Sequence, residues 1–372
     1  AVGGVWTYCL HLAGALARLG VAVDLAVMGP PPDPAQCATA ARIPRLTLWI
    51  ASFRLEWMEG GVADIVRSGQ WLLALAARTA PDVVHLNGYA HGALPFPAPK
   101  IVVAHSCVLS WWQAVHGCAP PAAWRPYADA VRDGLAGADR VIAPSAEMLR
   151  ALDAHYGPRA APSSVIPNGL PPLRGRRPRK RPVVLAAGRL WDAGKNIAAL
   201  AAAAPAVPWP VTVAGDVSID ATSTESPANG VRYLGRLDAA EMTTAYRRAA
   251  IYALPARYEP FGLSVLEAAQ HGCALVLGDI ASLRENWTGA ALFVHPDDVE
   301  GLGRTIAALI SDRRSQRALA RRARRRARKF SLRKMCRATL ELYERTAGQD
   351  RPRSPRPLAQ ASTLEGTNQC AL

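Results

Sequence analysis

The segment Glu259-Pro-Phe-Gly-Leu-Ser-Val-Leu-Glu267 follows the apolar run AIYALPA and enters LSVLEAAQHG, whose pattern is helical. A loop offering a carboxylate, a glycine that lets backbone approach a ligand and the free N–H groups of a helix start suits polyhydroxylated, anionic ligands. The spacing places Glu267 about two turns into the helix, on the face of its first turn when Glu259 sits just before it. Two carboxylates can then address two sets of hydroxyls on one ligand. The plainer alternative makes Glu259 a capping acid and Glu267 a solvated helix residue. Upstream, RPVVLAAG ends in Gly188-Arg189-Leu190, and Lys195-Asn196 opens the next helix. Two cations at the C-terminal edge of a strand, beside a helix N-terminus, form an anion clamp of the kind diphosphates occupy. Ordinary surface cations of a βα loop are the alternative. His105 ends the apolar run KIVVAHS, where a parallel sheet faces its ligand crevice, although a lone histidine is more often structural. Trp111 and Trp112 follow it and can stack on a sugar or lipid or simply pack.

These residues need strands to carry them. VAVDLAVMG, DVVHLN, KIVVAHS, RVIAPS and SVIPN alternate with helical stretches in the first half; RPVVLAAGR, VTVAG, VRYLG, AIYALPA and ALVLGD do so in the second. Val-, Ile- and Leu-rich strands, each followed by a helix-length segment, imply α/β architecture with parallel sheets buried on both faces. The pattern occurs twice, and 372 residues suit two domains at ~100–200 residues each. Residues 1–170 form one and 183–330 the other. Pro167-Asn168-Gly169 is a turn signal, and the Pro/Arg-rich stretch 171–182 is the linker. From 347 to 372 the chain is polar and aperiodic, so it is expected to be disordered. A doubly wound domain opens with a strand leading into its first glycine loop, yet Ala1-Val2-Gly3-Gly4 leads straight into a helical pattern. A sheet short of one strand at its binding edge is expected.

The formal charge of +15 points to a polyanion partner until its distribution is read. Of 44 Lys and Arg, thirteen lie in 313–337, where there is no acid, and six in 174–181; the remaining 25 face 29 Asp and Glu. The basicity belongs to two strips, so nucleic acid is not the expected partner. Seven scattered cysteines without a C-x-x-C pair read as reduced packing thiols and not as a metal centre. With no apolar run of membrane-spanning length and no signal-peptide pattern at the start, a cytoplasmic protein is expected.

Taken jointly, Gly188-Arg189-Leu190, Lys195-Asn196, Glu259 to Glu267 and Asp279-Ile280-Ala281-Ser282-Leu283-Arg284-Glu285 resemble the second half of the retaining GT-B glycosyltransferases of family 4, glycosyl transferases group 1. Gly3-Gly4-Val5, His105-Ser106, Ala143-Pro144-Ser145 and Ile166-Pro167-Asn168-Gly169 match the first half, so the resemblance covers residues 1 to about 346. It implies a GT-B fold: two Rossmann-like, doubly wound domains facing a cleft, with a helix at 331–346 crossing back to the first. It also implies transfer of a hexose from a nucleotide-diphosphate sugar, with retention, to an unknown sugar or lipid-linked acceptor.

By the same resemblance, Arg189 and Lys195 hold the donor diphosphate, Glu259 the donor-sugar hydroxyls and Glu267 the ribose hydroxyls. N–H groups around Phe261, Gly262 and Leu263 complete those contacts. His105 lies near donor sugar and acceptor, and Gly3 and Gly4 form a loop approaching the donor phosphate. The group that reacts is thus Glu259, His105, Arg189 and Lys195, with no metal and no cofactor beyond the nucleotide-sugar substrate. Acceptor choice falls to the variable loops 30–65 and 106–128. The rival readings are a nucleotide-sugar epimerase on the same architecture and a non-catalytic basic protein that binds nucleic acid or membrane. The strip 313–337 reads as a solvated helix face, with peripheral contact to an anionic membrane as the functional alternative. Because no D-x-D pair stands at a strand end and the phosphates already have cationic partners, turnover is expected to persist in excess EDTA. Loss of turnover on chelation, restored by Mg²⁺ or Mn²⁺, would reveal a metal requirement.

Overall fold

The computed structural model describes residues 3–58, 60–173, 179–216 and 230–348. The tail from 349 and most of the linker's arginine run, 174–178, lie outside the described residues. Twelve strands are present among them: β1 (Val23–Met28), β2 (Leu46–Ala51), β3 (Val84–Leu86), β4 (Lys100–Val103), β5 (Arg140–Ala143) and β6 (Ser163–Val165) in the first half. The second half has β7 (Arg181–Ala187), β8 (Val211–Ala214), β9 (Val231–Tyr233), β10 (Ala249–Leu254), β11 (Ala274–Gly278) and β12 (Leu292–Val294). Every pairing is parallel.

The second half forms one six-stranded sheet of order β12-β11-β10-β7-β8-β9. Strand order reverses between β7 and β10, so the loops leaving these two neighbours diverge and open a crevice at their C-terminal ends. Gly188-Arg189 leaves β7 there, and the loop to Glu259 leaves β10. In the first half the strands divide into a β1-β2 pair and a β3-β4-β5-β6 sheet that share no hydrogen-bonded edge among the described residues. The helix Gly3–Ala17 packs over both sheets, with Tyr8, Leu12 and Leu16 in one cluster with Ile101 and Val103 of β4 and, at its margin, Val23 of β1.

Burial explains why these runs become strands. Successive residues of β4 point to opposite faces: Ile101 and Val103 enter the cluster under the first helix, Val102 the cluster on the other side. All of β10 and β11 is buried, as their unbroken apolar composition requires. The stretches read as loops hold more structure than that. Residues 30–65 contain the helix Pro34–Ala41 and β2, and 106–128 the helix Val108–His116. LTLWIA is half-buried throughout and shows no alternation, and an eight-residue helix is too short to display a period.

The basic strip is two helices, Arg313–Ala327 and Leu332–Gly348. In the first, Gln316, Leu319, Ala323 and Ala327 are buried, while Arg313, Arg314, Arg317, Arg321, Arg322 and Arg325 are exposed and make no ion pair with an acid among the described residues. The second crosses back, placing Leu332, Met335, Cys336 and Leu342 in the core beneath the first helix. Among the described residues, no helix is long and apolar enough to cross a membrane.

One close contact sets the turn after β3. A Cβ on Gly134 would stand 1.9 Å from the carbonyl oxygen of Tyr89, and one on Gly92 2.2 Å from that of Gly134. The helix Arg125–Ala136 therefore lies backbone to backbone against the turn Ala90–Ala93. Gly134→Ala is expected to cost about 1–3 kcal/mol, as overpacking does, read as a lower denaturant midpoint at unchanged slope.

Candidate functional site

The loop leaving β7 is held by its own polar groups. Asp192 caps the turn Ala193–Lys195, its Oδ1 accepting the Gly194 N–H at 2.9 Å and its Oδ2 pairing with Arg189 Nη2 at 2.7 Å. Burial pushes the Asp192 carboxyl upward, but Lys195, Trp111 and Arg189 together outweigh it and hold the group below the ordinary aspartate value. Arg189 also lies over the Trp191 ring, 4.9 Å from its centroid. Asn196 adopts a left-handed backbone, φ 56°, and its buried amide donates to the carbonyls of Pro255 and Pro296, stapling this loop to those leaving β10 and β12.

The loop leaving β10 meets it directly. Lys195 Nζ stands 2.6 Å from Glu259 Oε2, with both side chains largely buried. Glu259 Oε1 accepts the Gly262 N–H at 2.8 Å, so Glu259 is both ion-pair partner and cap. Gly262 has φ 87° and starts the helix Leu263–His271, a conformation that costs glycine little. Phe261 is packed in the core edge-on to Phe330, and its carbonyl accepts the Asn286 amide at 3.5 Å. Glu267 is not the solvated residue of the plainer reading. It is half-buried and accepts the Tyr246 hydroxyl at 2.9 Å, and burial pushes its carboxyl above the ordinary value.

The first domain closes on these loops. Gly3 and Gly4 are exposed and form the first turn of a helix instead of the expected loop; a Cβ on Gly4 would lie 3.1 Å from Leu263 Cδ1. Two helix N-termini, each a site of positive potential, thus face one another across the cleft. His105 follows β4 with Nε2 2.9 Å from Asn87 Oδ1 and the Tyr8 ring edge-on at 4.6 Å. Burial, aided by His85, lowers its pKa to about 3, so it is neutral at physiological pH. His85 lies 2.6 Å from the Tyr343 hydroxyl of the crossing helix, and its own pKa is lowered by burial to about 4.

Sequence reasoning gave no role to the groups that tie the halves together, although Ser106, Ser145 and Glu285 lie in the motifs it singled out. The Tyr258 hydroxyl, one residue before Glu259, accepts the Cys107 N–H at 3.0 Å and lies 3.3 Å from Ser106 Oγ, which links the His105 segment to the Glu259 loop. Ser145 Oγ donates to the Pro260 carbonyl at 2.8 Å. Glu285 accepts the N–H groups of Ala146 and Glu147, capping the helix Ala146–Tyr156 from the opposite domain. Asp192 carried a readable signal, an acid poised to cap the turn before Lys195; Tyr258 and Asn87 carried none. Among the described residues, no group of three His, Cys, Asp or Glu converges as metal ligands would.

Two Rossmann-like domains closing on a cation–carboxylate loop pair define a GT-B glycosyltransferase. The chain belongs to the glycosyl transferases group 1: residues 2–174 match the Glycosyltransferase Family 4 model and residues 181–312 the Glycosyl transferases group 1 model. Over 395 aligned positions it is 29% identical to a glycogen synthase of Mycobacterium tuberculosis, covering 95% of this chain and 94% of that protein. It is 28% identical to a GDP-mannose-dependent alpha-mannosyltransferase of Mycolicibacterium smegmatis, covering 65% and 68%. Its fold matches sucrose-phosphate synthase from Thermosynechococcus elongatus with a TM-score of 0.74 at 21% identity, covering 94% and 95% of the two chains. It matches Anabaena HepE in complex with UDP-glucose at 0.69 and 17%, covering 93% and 97%.

The two half-buried histidines, His85 and His105, make stability depend on pH. Their folded pKa values lie below the unfolded value of ~6.5, so the unfolded chain binds more protons between that value and about 4. Their contribution is complete above pH 6.5 and declines as the medium is acidified, by at most ~1.4 kcal/mol per pH unit for each histidine. Replacing His105 by Asn should flatten the fall in unfolding free energy between pH 7 and 5, measured by denaturant titration, relative to the natural chain.

Proposed function

We propose that this enzyme transfers a hexose from a nucleoside-diphosphate sugar to a sugar or lipid-linked acceptor with retention of anomeric configuration. The observation that carries this reading is the Lys195–Glu259 pair, 2.6 Å apart, beside Arg189 and at the start of the helix Leu263–His271. Departure of a nucleoside diphosphate leaves positive charge on the sugar carbon and added negative charge on phosphate. Fixed cations and helix N–H groups stabilise that separation more in the transition state than in the ground state. Glu259 Oε2 beside Lys195 supplies an acceptor for sugar hydroxyls, and Glu267 takes the ribose hydroxyls. When the leaving phosphate accepts the proton of the incoming hydroxyl, no protein base is needed, which agrees with a neutral His105 near donor sugar and acceptor. The names of the similar proteins, a glycogen synthase, a GDP-mannose-dependent mannosyltransferase and HepE bound to UDP-glucose, support a nucleotide-sugar donor.

A thermal-shift screen of nucleoside diphosphates and nucleotide sugars tests the donor, because a ligand bound only to the native state raises stability as RT ln(1 + [L]/Kd). An epimerase would interconvert the free nucleotide sugar without acceptor, whereas a transferase releases nucleoside diphosphate in proportion to acceptor consumed. Glu259→Gln and Lys195→Ala should each lower turnover by ~10²–10³ in a chain that still folds, with a lowered melting temperature because each leaves a largely buried charge without its partner. Wild-type turnover in both would falsify the assignment of this cleft. The exposed arginines of the helix Arg313–Ala327 favour an added contact with an anionic bilayer. Co-sedimentation with phosphatidylserine vesicles should then weaken with salt and vanish when those arginines become glutamine.

A further inference from the structure

Trp111 belongs to the helix Val108–His116 of the first domain, yet its indole N–H donates to Asp192 Oδ1 at 2.8 Å in the second. The ring also lies directly over that loop: a Cβ on Gly194 would stand 2.9 Å from the indole nitrogen and 3.1 Å from Cδ1. The remaining oxygen of Asp192 holds Arg189 at 2.7 Å. The Gly194 carbonyl accepts the N–H groups of Arg257 and Tyr258 at 2.9 and 3.1 Å, and these lead into Glu259. One side chain of the first domain therefore rests where both arms of the cation clamp branch, Arg189 through Asp192 and Lys195–Glu259 through Gly194.

This contact changes what Arg189 can do. A diphosphate that engages Arg189 must share it with the Asp192 carboxylate or draw it away. How firmly that carboxylate holds Arg189, and in which direction, depends on what else its oxygens accept, and the Trp111 N–H reaches it from the other domain. We propose that Trp111 is a positioning residue that makes the placement of Arg189 conditional on cleft closure, acting through Asp192. The proposal rests on reading this cleft as the donor site.

The test uses the full chain with Trp111→Phe, Asp192→Ala and the double variant. Nucleoside diphosphate binding is measured by calorimetry with UDP, GDP and ADP, and turnover is read as nucleoside diphosphate released from the matching nucleotide sugar. Trp111→Phe keeps an aromatic ring over Gly194 and loses only the N–H. It should bind the preferred diphosphate within about threefold of the natural chain while kcat falls about tenfold, the size expected for one lost hydrogen bond to a charged acceptor. The double variant should be no slower than Asp192→Ala within about twofold, because Trp111 then has nothing to act through. Additive losses in the double variant, an unchanged kcat in Trp111→Phe, or equal losses of binding and kcat would each overturn the proposal. If Trp111→Phe melts early, Asp192→Ala decides alone: a wild-type kcat there overturns it, and a kcat loss at retained binding supports it. Failure of the natural chain to bind any nucleoside diphosphate or nucleotide sugar is a separate result, which overturns the donor-site reading itself.

Discussion

The Lys195–Glu259 ion pair joins two loops that leave neighbouring strands of one sheet, and the rest of the site is arranged around it. Removing two charges from water is costly, and a buried pair is retained only where further hydrogen bonds satisfy it. Here they do. Glu259 is capped by the Gly262 N–H, and its carbonyl accepts the Ser282 hydroxyl. The Gly194 carbonyl accepts the backbone N–H groups just before Glu259, so the two loops are joined through backbone as well as side chains. The switch in strand order between β7 and β10 makes this geometry available, since it brings two loop origins side by side at the sheet's C-terminal edge.

Closure of the first domain onto those loops uses few and directional contacts. Tyr258, Trp111, Ser145 and Glu285 each take part in a hydrogen bond that crosses the cleft, and three of them touch backbone groups. Glu285 and Ser145 are notable for satisfying groups at the start of the helix Ala146–Tyr156, whose N–H groups have no intrahelical partner. Such contacts specify one relative position of the domains, since each requires its donor and acceptor to meet in distance and direction.

The parts of this protein legible in its sequence are those set by neighbours along the chain. The strands declare themselves by unbroken apolar composition, the loops by Gly188, Pro260 and Gly262, and the clamp by cations placed just past a strand end. β12 and β2 went unseen, β2 because a half-buried run without alternation carries too little pattern to stand out from a loop. The division of the first-half strands into two sheets depends on pairing among distant segments, which no local signal encodes. The same holds for the partners of the site residues. That Trp111 would reach Asp192, or that Tyr343 would meet His85 across 258 positions, follows from packing alone. Family resemblance supplied the roles of Glu259 and Lys195; chemistry read from spacing alone left capping acid and ligand contact equally open, and the geometry gives Glu259 a capping contact as well as an ion-pair one.

The crossing helix has a further consequence, for how the molecule is made. Leu332, Met335, Cys336 and Leu342 complete the cluster that Tyr8, Leu12, Ile101 and Ile142 begin, and the backbone of Leu170 is bridged to Ser331. A ribosome delivers residues 332–342 only after the entire second domain has emerged. Until then that face of the first domain's sheet is covered by the helix Gly3–Ala17 alone, and the apolar surface that the crossing helix will take stays exposed. The second domain has a core of its own. The half that is synthesised first is thus the half that finishes last.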